Sequence, residues 1–246
     1  MELMTQMLVS GVLSASLSLI AFRFRALTFS GAVASFFVGY IVGLFGSVEW
    51  LVLLVGFTMV GIAVTKMDFS SKKKNGLHEG NGGERTHKNV LGVGFPPCLI
   101  AVLYALMHSM FDGQYDLALT VAFISTLSVA AADTVASEIG ARDMKVWLIT
   151  TFERVKRGTN GGVSVTGTLF SLAASAVTSI VGWLLIFGEF DLYILIPFAM
   201  GFLGNIMDSV LGATLENKGA ISKYTNNCVS ALIGAILGAV IVLVIC

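Results

Sequence analysis

Two aspartates lie inside strongly apolar segments of the chain, where an acidic side chain is unusual. Asp133 and Asp208 each precede the end of such a segment by about seven residues, or roughly 10 Å along a helix. An ionised carboxylate at that depth costs a few kcal/mol unless it is paired, hydrated or bound to a cation. A hydrogen bond between helices or a protonated acid is the simpler alternative. Because the two acids lie at matching depth, each before a glycine-containing turn, the pattern favours a metal or phosphate site.

Two further acids, Glu138 and Glu216, follow the aspartates in the sequence. Glu138 comes five positions after Asp133, about 140° around an ideal helix. The two carboxylates would therefore share one ion only if the helix breaks or if the ion lies between helices. Glu216 is closer to the expected surface, so a solvated position is an equal alternative for it.

A glycine-rich run with three cations is the strongest single indication of ligand binding. It reads R-V-K-R-G-T-N-G-G-V-S over residues 154–164. Glycines let a backbone approach a ligand closely, and free N–H groups at a helix N-terminus favour an anion. The alternative is an ordinary helix cap at the membrane interface, with cations that extend toward the lipid headgroups. The residues of this run with binding potential are Lys156, Arg157, Thr159, Asn160, Gly161, Gly162 and Ser164.

A second run, G-L-H-E-G-N-G-G-E-R-T-H-K at residues 76–88, follows the same pattern. Arg85 and Lys88 stand beside glycines and next to a predicted helix start, although a flexible solvated loop is a stronger alternative here. The preceding lysine triplet at residues 72–74 predicts contact with anionic lipids. The histidines, none of which indicates a helical zinc pair, are His78 and His87 in this loop and His108 near the opposite face.

These polar residues belong to a chain that is otherwise apolar. Of its 246 residues, 56% are hydrophobic and 12% are charged, and the mean hydropathy is +0.87. Charged residues make up about a quarter of a typical soluble domain. The composition therefore excludes a soluble domain and indicates an all-α, polytopic bundle of membrane helices. The eight predicted spans lie near residues 4–22, 27–46, 48–65, 90–110, 117–140, 162–187, 192–215 and 225–246.

The distribution of charge predicts how these helices cross the membrane. All 15 Lys and Arg residues fall in the odd-numbered connections, whereas the other side carries only acids. The positive-inside rule then places the odd connections in the cytoplasm and both termini outside. We therefore predict one multi-pass domain, residues 1–246, in the cell membrane. Its active site is expected on the cytoplasmic side, with loops 66–89, 141–161 and 216–224 at the mouth.

Two stretches of the sequence look like copies of one helical hairpin. The D-T-V at residues 133–135 is followed by T-N-G-G-V-S at 159–164, and the D-S-V at 208–210 is followed by T-N-N-C-V-S at 225–230. Short matches in apolar sequence also arise by chance. A true duplication would predict pseudo-symmetric hairpins with a site at their shared cytoplasmic end.

Several common site motifs are absent from the sequence. It contains no G-x-x-x-x-G-K-[ST] loop, and it lacks the protein-kinase, nucleophile-elbow and dinucleotide signatures. No nucleic-acid-binding module is recognisable. Cys98, Cys228 and Cys246 show neither metal spacing nor a disulfide framework. The remaining combination of basic glycine loops and carboxylates is suited to binding phosphates together with a divalent cation.

Four motifs carry a family resemblance. They are A-D-T-V-A-S-E-I-G at 132–140, R-G-T-N-G-G-V-S-V-T-G at 157–167, G-x-x-G-N-x-x-D-S-x-L-G-A-T-L at 201–215 and T-N-N at 225–227. Over nearly the whole chain they resemble an integral-membrane family that includes plant phytyl-phosphate kinase, although Glu216 and Ser230 replace an expected Gln and Asn. The resemblance implies an enzyme that converts a polyprenyl monophosphate, of the phytyl or geranylgeranyl type, to its diphosphate. It also implies a nucleoside triphosphate, with CTP favoured, and Mg²⁺.

The resemblance further implies roles for individual residues. The metal ligands would be Asp133, Glu138 and Asp208. The catalytic residues would be Asp133, Asp208, Lys156 and Arg157. The residues that bind nucleotide and phosphate would be Arg85, Lys88, Thr159, Asn160, Gly161, Gly162, Ser164 and Asn226.

Two other functions use the same features and stay open. A cytidylyltransferase-like enzyme would join a nucleotide to a lipid phosphate, and a transporter would move phosphorylated solutes or lipids. A transporter predicts polar residues on both sides of the membrane midplane, whereas the outer half here is almost bare. For the kinase that the resemblance implies, the expected partners are a nucleoside triphosphate, an isoprenoid lipid phosphate and membrane lipids. No nucleic acid is expected among them.

Overall fold

A computed structural model describes residues 3–67 and 83–245 of the chain. Within these ranges eight α-helices make up most of the structure. They are α1 (Leu3–Arg23), α2 (Phe29–Phe45), α3 (Val48–Lys66), α4 (His87–Phe111), α5 (Asp116–Gly140), α6 (Val165–Phe187), α7 (Leu195–Leu211) and α8 (Lys223–Ile245). The predicted fold class, a polytopic bundle of membrane helices, is confirmed.

The helices agree with the eight predicted spans to within a few residues at each end, and two of the differences matter here. Seven segments in the described ranges are long and apolar enough to cross a membrane, whereas α2, with 17 residues, is shorter. At about 1.5 Å per residue α2 still extends over roughly 25 Å, close to the thickness of the hydrocarbon core. The sixth helix begins at Val165 rather than at residue 162, because Gly162 and Val163 form a strand.

The contacts of α2 show that it runs antiparallel to α1 and preserves the alternation of the helices. At one end, Nε2 of Gln6 donates to the carbonyl oxygens of Gly43 and Gly46, at 3.0 and 3.3 Å. At the other end, Thr28 just before α2 donates its N–H to the carbonyl of Arg85, at 3.1 Å. Helix α2 therefore begins at the end of the bundle where α4 begins.

Helix α5 forms the centre of the bundle. It packs against α3, α4, α6, α7 and α8, and its residues from Thr120 to Ala132 are buried without interruption. Trp50 of α3 stacks on Phe123 of α5 with ring centroids 4.0 Å apart. Asp133 is thereby carried on the most enclosed of the described helices.

A small antiparallel sheet, which the sequence did not predict, follows α5. Its strands β1 (Val146–Leu148), β2 (Arg154–Val155) and β3 (Gly162–Val163) lie in the order β2-β1-β3. Val146 pairs with Val155, and Trp147 pairs with Val163. Because β3 is part of the glycine-rich run, the sheet gives that run a defined position.

The odd-numbered connections meet at one end of the bundle, which we term the site face. Leu27, before α2, pairs with Arg85, before α4. The connection before α8 is hydrogen-bonded to the one before α6, from Nδ2 of Asn217 to the carbonyl of Asn160, at 3.0 Å. The site face therefore gathers the connections to which the basic residues belong. The side of the membrane that it meets stays a prediction.

Candidate active site

A polar cavity lies at the site face, among the ends of the helices and the loop that precedes α6. Its volume is about 560 Å³, within the range of about 300–1,000 Å³ that is typical of ligand pockets. All helices from α3 to α8 contribute to its lining. The sequence-predicted residues that line it are Arg85, Asp133, Glu138, Arg157, Thr159, Asn160, Gly161, Gly162, Ser164, Asp208 and Asn226.

Asp133 and Glu138 both line this cavity, although they lie about 140° apart around α5. The helix is continuous from Asp116 to Gly140, so no break brings the two carboxylates together. Both reach the cavity because it extends between helices. A break in the helix is therefore ruled out as the way to bring these two acids to one ion, and an ion between helices beside both of them stays a prediction.

Asp208 on α7 is held by two residues of α8. The hydroxyl of Ser230 donates to Oδ1 of Asp208 at 2.9 Å, and the side-chain amide of Asn226 donates to the Asp208 carbonyl at 3.0 Å. Ser230 and Asn226 are each only 1% exposed. The partly buried carboxylate is therefore oriented at the edge of the cavity by Ser230 of the neighbouring helix.

More carboxyl groups than cationic groups line the cavity among the described residues. Asp208 is close enough to Asp133 and Glu216 to be repelled by both, and Lys223 attracts it. The charged residues of the lining are the carboxylates Glu84, Asp133, Glu138, Asp208 and Glu216 and the cations Arg85, Arg157 and Lys223. Since like charges at short range repel strongly away from bulk water, this arrangement favours a bound cation. A phosphate chain would bind better together with a divalent cation than alone.

Helix α7 ends in a π-helical turn, Gly212–Glu216, which we term the π-turn. Such turns are rare in proteins overall, and those that occur are often found at functional sites. Glu216 lines the cavity from this turn, and its Oε2 accepts a hydrogen bond from Nδ2 of Asn226 at 3.2 Å. Glu216 is therefore partly buried at the cavity rather than fully solvated.

The glycine loop, defined as residues 157–162, lies directly against the π-turn. Gly161 has a φ of +76°, and a Cβ at this position would come within 2.5 Å of the Ser209 carbonyl oxygen and of the Ala213 side chain. Only glycine fits here, because the backbone is left-handed and the space beside it is occupied. The close approach brings the loop to the end of α7, next to the turn that carries Glu216.

The remaining predicted residues of the run have defined roles. Ser164 is the N-cap of α6, and its Oγ accepts from the N–H of Gly167 at 3.1 Å. Thr159 donates its hydroxyl to the carbonyl of Lys156 at 2.8 Å, which stabilises the loop. The run therefore ends at a helix N-terminus, as expected, with Arg157 and Thr159 at the cavity.

Arg85 is held by its backbone while its side chain reaches the cavity. Its N–H donates to the Ala26 carbonyl at 2.9 Å, and its own carbonyl accepts from Thr28. The guanidinium donates to Oγ1 of Thr65 on α3 at 3.3 Å. A Cβ on Gly61 would lie 3.4 Å from the same guanidinium. The groove that glycine leaves on α3 thus accommodates this cation.

Two predicted cations are not brought to the cavity. The side chains of Lys88 and Lys156 are exposed, and neither lysine lines it. The lysine triplet at 72–74 and His78 lie outside the described residues. His108 lies near the C-terminal end of α4, at the end of the bundle opposite the site face, as predicted from the sequence.

Other lining residues were not predicted from the sequence. They include Asn89, Asn205, Lys223 and Tyr224. For Asn205 a signal was available, because the N-x-x-D spacing to Asp208 places both residues on one face of a helix. Asn205 is buried, and its Nδ2 donates to Oγ of Ser171 on α6 at 2.8 Å.

The two copies of the hairpin motif have different conformations. T-N-G-G-V-S at 159–164 forms a loop and a strand before α6, whereas T-N-N-C-V-S at 225–230 lies inside α8. Ser164 accordingly caps its own helix, and Ser230 donates to a carboxylate on the neighbouring helix. The repeated sequence thus contributes to one cavity from both hairpins without adopting one local structure.

The oxygen atoms around Asp208 fit a magnesium site better than a zinc site. Among the described residues, no group of three or more His, Cys, Asp or Glu side chains is close enough to hold a metal by itself. Magnesium, however, is usually bound by one or two carboxylates together with substrate phosphates and water. The Oδ1 of Asn226 is buried and lacks a hydrogen-bond partner among the described residues. Carboxylate and amide oxygens are the ligand types that this ion takes.

Comparisons with known proteins identify relatives along almost the whole chain. Residues 12–242 match the family described as integral membrane protein DUF92. An uncharacterized membrane protein of Methanocaldococcus jannaschii is 32% identical, over 98% of this chain and 96% of its own. An uncharacterized membrane protein of Synechocystis is 35% identical, over 76% of this chain and 70% of its own.

A plant relative extends the comparison to chloroplasts. The chloroplastic protein VTE6 of Arabidopsis thaliana is 31% identical, over 87% of this chain and 64% of its own. No solved structure matches the chain. Because the family match spans nearly all of the helical bundle, the protein belongs to the DUF92 family of integral membrane proteins.

Proposed function

We propose that this protein is a membrane-embedded phosphotransferase that converts a polyprenyl monophosphate to its diphosphate, with CTP as the favoured nucleotide and with Mg²⁺. The observation that carries the proposal is the cavity in which Asp133 and Asp208 lie beside Arg85, Arg157 and the glycine loop. Cations offset oxyanion charge and carboxylates hold a metal, which is the combination that phosphoryl transfer needs. The resemblance of the chain's motifs to those of the family that includes plant phytyl-phosphate kinase supports the same class of reaction.

In the proposed reaction an oxygen of the lipid monophosphate attacks the γ-phosphorus of the nucleotide. A P–O bond forms between them, the bond from the γ-phosphorus to the bridging oxygen breaks, and the nucleoside diphosphate leaves with that electron pair. The attacking oxygen is already largely anionic near neutral pH, so no strong protein base is required. Catalysis then rests on positioning and on stabilisation of charge.

The residues of the cavity divide into two groups for this reaction. Arg85 and Arg157 stabilise the charge on the phosphates, and the glycine loop allows close approach of its backbone. Asp133 and Asp208 would hold Mg²⁺, and Glu138 is the third proposed ligand. When bound, this ion neutralises phosphate charge and offsets the excess of carboxylates around the cavity.

The position of the cavity suits a lipid substrate. It lies at the end of the membrane helices, so a headgroup phosphate can enter while the isoprenoid tail stays among helices and lipid. Small residues on the helices leave grooves for such a tail. We assign the site face to the cytoplasm by the positive-inside rule, which is also the side on which nucleoside triphosphates are available.

The test is a product analysis with the purified full-length protein in detergent. Geranylgeranyl monophosphate, Mg²⁺ and each nucleoside triphosphate in turn are incubated with the protein, and both product classes are identified by mass spectrometry. Geranylgeranyl diphosphate together with the matching nucleoside diphosphate is the expected result. The Asp133→Asn variant, prepared in parallel, controls for contaminating kinases.

Two other results would replace the proposal. A nucleotide-linked lipid with release of pyrophosphate would indicate a cytidylyltransferase-like enzyme. Binding of nucleotide or lipid phosphate without any turnover would indicate a transporter, which flux measurements in sealed vesicles would then examine.

A further inference from the structure

Asn217, the residue that follows the π-turn, is hydrogen-bonded to the glycine loop. Its Nδ2 lies 3.0 Å from the carbonyl oxygen of Asn160 and 3.4 Å from that of Ala213. The amide has two N–H groups, so it can donate to both acceptors. Since 57 positions separate Asn217 from Asn160, the bond joins two distant connections at the site face.

The same two segments are in close steric contact. A Cβ on Gly161 would meet the side chain of Ala213 at 2.5 Å, and a Cβ on Gly212 would lie 3.0 Å from the backbone nitrogen of Gly161. No side chain fits between loop and turn at these points. A shift of the π-turn would therefore shift the loop as well.

The residue before Asn217 connects the π-turn to the other side of the cavity. Glu216 accepts a hydrogen bond from Asn226 at 3.2 Å, and the same amide nitrogen donates to the Asp208 carbonyl at 3.0 Å. The adjacent residues Glu216 and Asn217 thus join α8 and α7 to the glycine loop. Glu216 lines the cavity, whereas Asn217 is exposed and does not.

We propose that Asn217 is a positioning residue that holds the glycine loop on the π-turn and thereby sets the placement of Arg157 and the loop backbone relative to Asp208. The contact itself is independent of the reaction, but its catalytic consequence rests on the proposed function. Misplacement of a binding group by about 1 Å can reduce turnover by roughly 100-fold, even when the changed residue does not touch the substrate.

Three variants separate the hydrogen bond from the bulk of the side chain. Asn217→Asp keeps the shape and replaces the N–H donors by an oxygen that faces two carbonyl oxygens. Asn217→Gln keeps the two N–H donors. Because the side chain is exposed, the longer amide can be accommodated and should still form the hydrogen bond. Ala220→Asp adds the same charge to an exposed position of the same connection and serves as the matched control.

Hydrogen exchange of the purified full-length protein measures how firmly the glycine loop is held, and it does not require turnover. In Asn217→Asp, amide exchange in the peptide that covers the glycine loop should rise severalfold, with α5 and α6 unchanged. In Asn217→Gln and Ala220→Asp, exchange should stay near that of the wild type. Equal exchange in Asn217→Asp and the wild type would mean that this hydrogen bond does not hold the glycine loop, and would overturn the proposal.

Steady-state kinetics then test the positioning role. We expect kcat/KM for the nucleotide to fall about tenfold in Asn217→Asp, in proportion to one lost hydrogen bond, while KM for the lipid phosphate stays unchanged. Faster exchange with unaltered nucleotide kinetics would overturn the positioning role. A wild-type protein without any turnover would overturn the proposed function alone. In that case the affinity for Mg²⁺ with inorganic triphosphate replaces the kinetics, and an equal affinity in Asn217→Asp would overturn the role.

Discussion

The hydroxyl group of Ser230 on α8 donates to Oδ1 of Asp208 on α7 at 2.9 Å, so two neighbouring membrane helices meet through a carboxylate. The same hydroxyl lies 2.9 Å from the carbonyl oxygen of Asn226 in its own helix. One O–H group supplies one proton, and a charged acceptor forms the stronger bond. Ser230 therefore orients the carboxylate that we propose as a magnesium ligand.

Substitution of Ser230 by Ala should weaken magnesium binding without unfolding the protein. A hydrogen bond to a charged group is worth roughly 1.5–3 kcal/mol, so the Mg²⁺ concentration that gives half-maximal activity should rise about tenfold or more. The matched control is Ser10→Ala on α1, because that hydroxyl is equally buried and has no hydrogen-bond partner in the described part of the chain. An unchanged magnesium dependence in Ser230→Ala would argue against a metal at Asp208.

Substitution of Asp133 by Asn should nearly abolish turnover. The change removes a charge that we expect to act on a metal and on phosphates in the cavity, where one preorganised electrostatic group contributes about 100-fold or more. Turnover is measured as lipid diphosphate formed, and size-exclusion chromatography in detergent checks that the variant is folded. Glu189→Gln, at an exposed position of the connection between α6 and α7, is the control. Full activity in Asp133→Asn would remove this residue from the site.

Substitution of Gly161 by Ala should displace the glycine loop from the π-turn. Gly219 has a similar φ of +70° but open space around it, whereas a Cβ at Gly161 would meet the Ser209 carbonyl oxygen. Both variants carry the backbone strain of about 1–2 kcal/mol for a left-handed residue, and only Gly161→Ala adds the clash. We expect Gly161→Ala to lose at least tenfold in kcat/KM for the nucleotide and Gly219→Ala to stay within about twofold. Equal effects would mean that strain, rather than loop position, governs activity.

The sequence predicted those features that depend on composition over many residues. Eight helices followed from long apolar segments, and Asp133 and Asp208 were identified because a carboxylate inside such a segment has a high energetic cost. The glycine-rich run was identified because its glycines and cations are rare in apolar surroundings. In each case the signal is local to one segment, so no knowledge of the packing was required.

The features that depend on contacts between segments were not predicted. Strands of two or three residues are too short to show periodicity, and the π-turn has no sequence signature. Arg85 and Lys88 belong to one run and looked equivalent, but only Arg85 lines the cavity. Arg85 is paired with Leu27 before α4, whereas Lys88 lies in the first turn of α4 with an exposed side chain, and no local pattern reveals this difference.

This difference between the two cations predicts different effects on activity. Arg85→Gln should raise KM for the nucleotide about tenfold or more, because an interaction with a charged phosphate is lost from a partly enclosed cavity. Lys88→Gln, at an exposed position in the first turn of α4, should cost far less. Initial rates at several nucleotide concentrations give both values. Effects of equal size would mean that Lys88 reaches the substrate in the working enzyme.

Nucleotide binding should depend strongly on a divalent cation, because within residues 3–67 and 83–245 five carboxylates and three cationic side chains line the cavity. Without a divalent cation the phosphate chain would add further negative charge to Asp133, Asp208 and Glu216, and the repulsion would oppose binding. We expect the affinity for CTP, measured by calorimetry with the protein in detergent, to fall at least tenfold when EDTA replaces Mg²⁺. In an Asp208→Asn variant the same replacement should matter less, since one of the repelling carboxylates is then neutral. If CTP bound the wild type equally well with EDTA, the cations Arg85, Arg157 and Lys223 alone would suffice for the phosphates, and the carboxylates would need a role other than holding a metal.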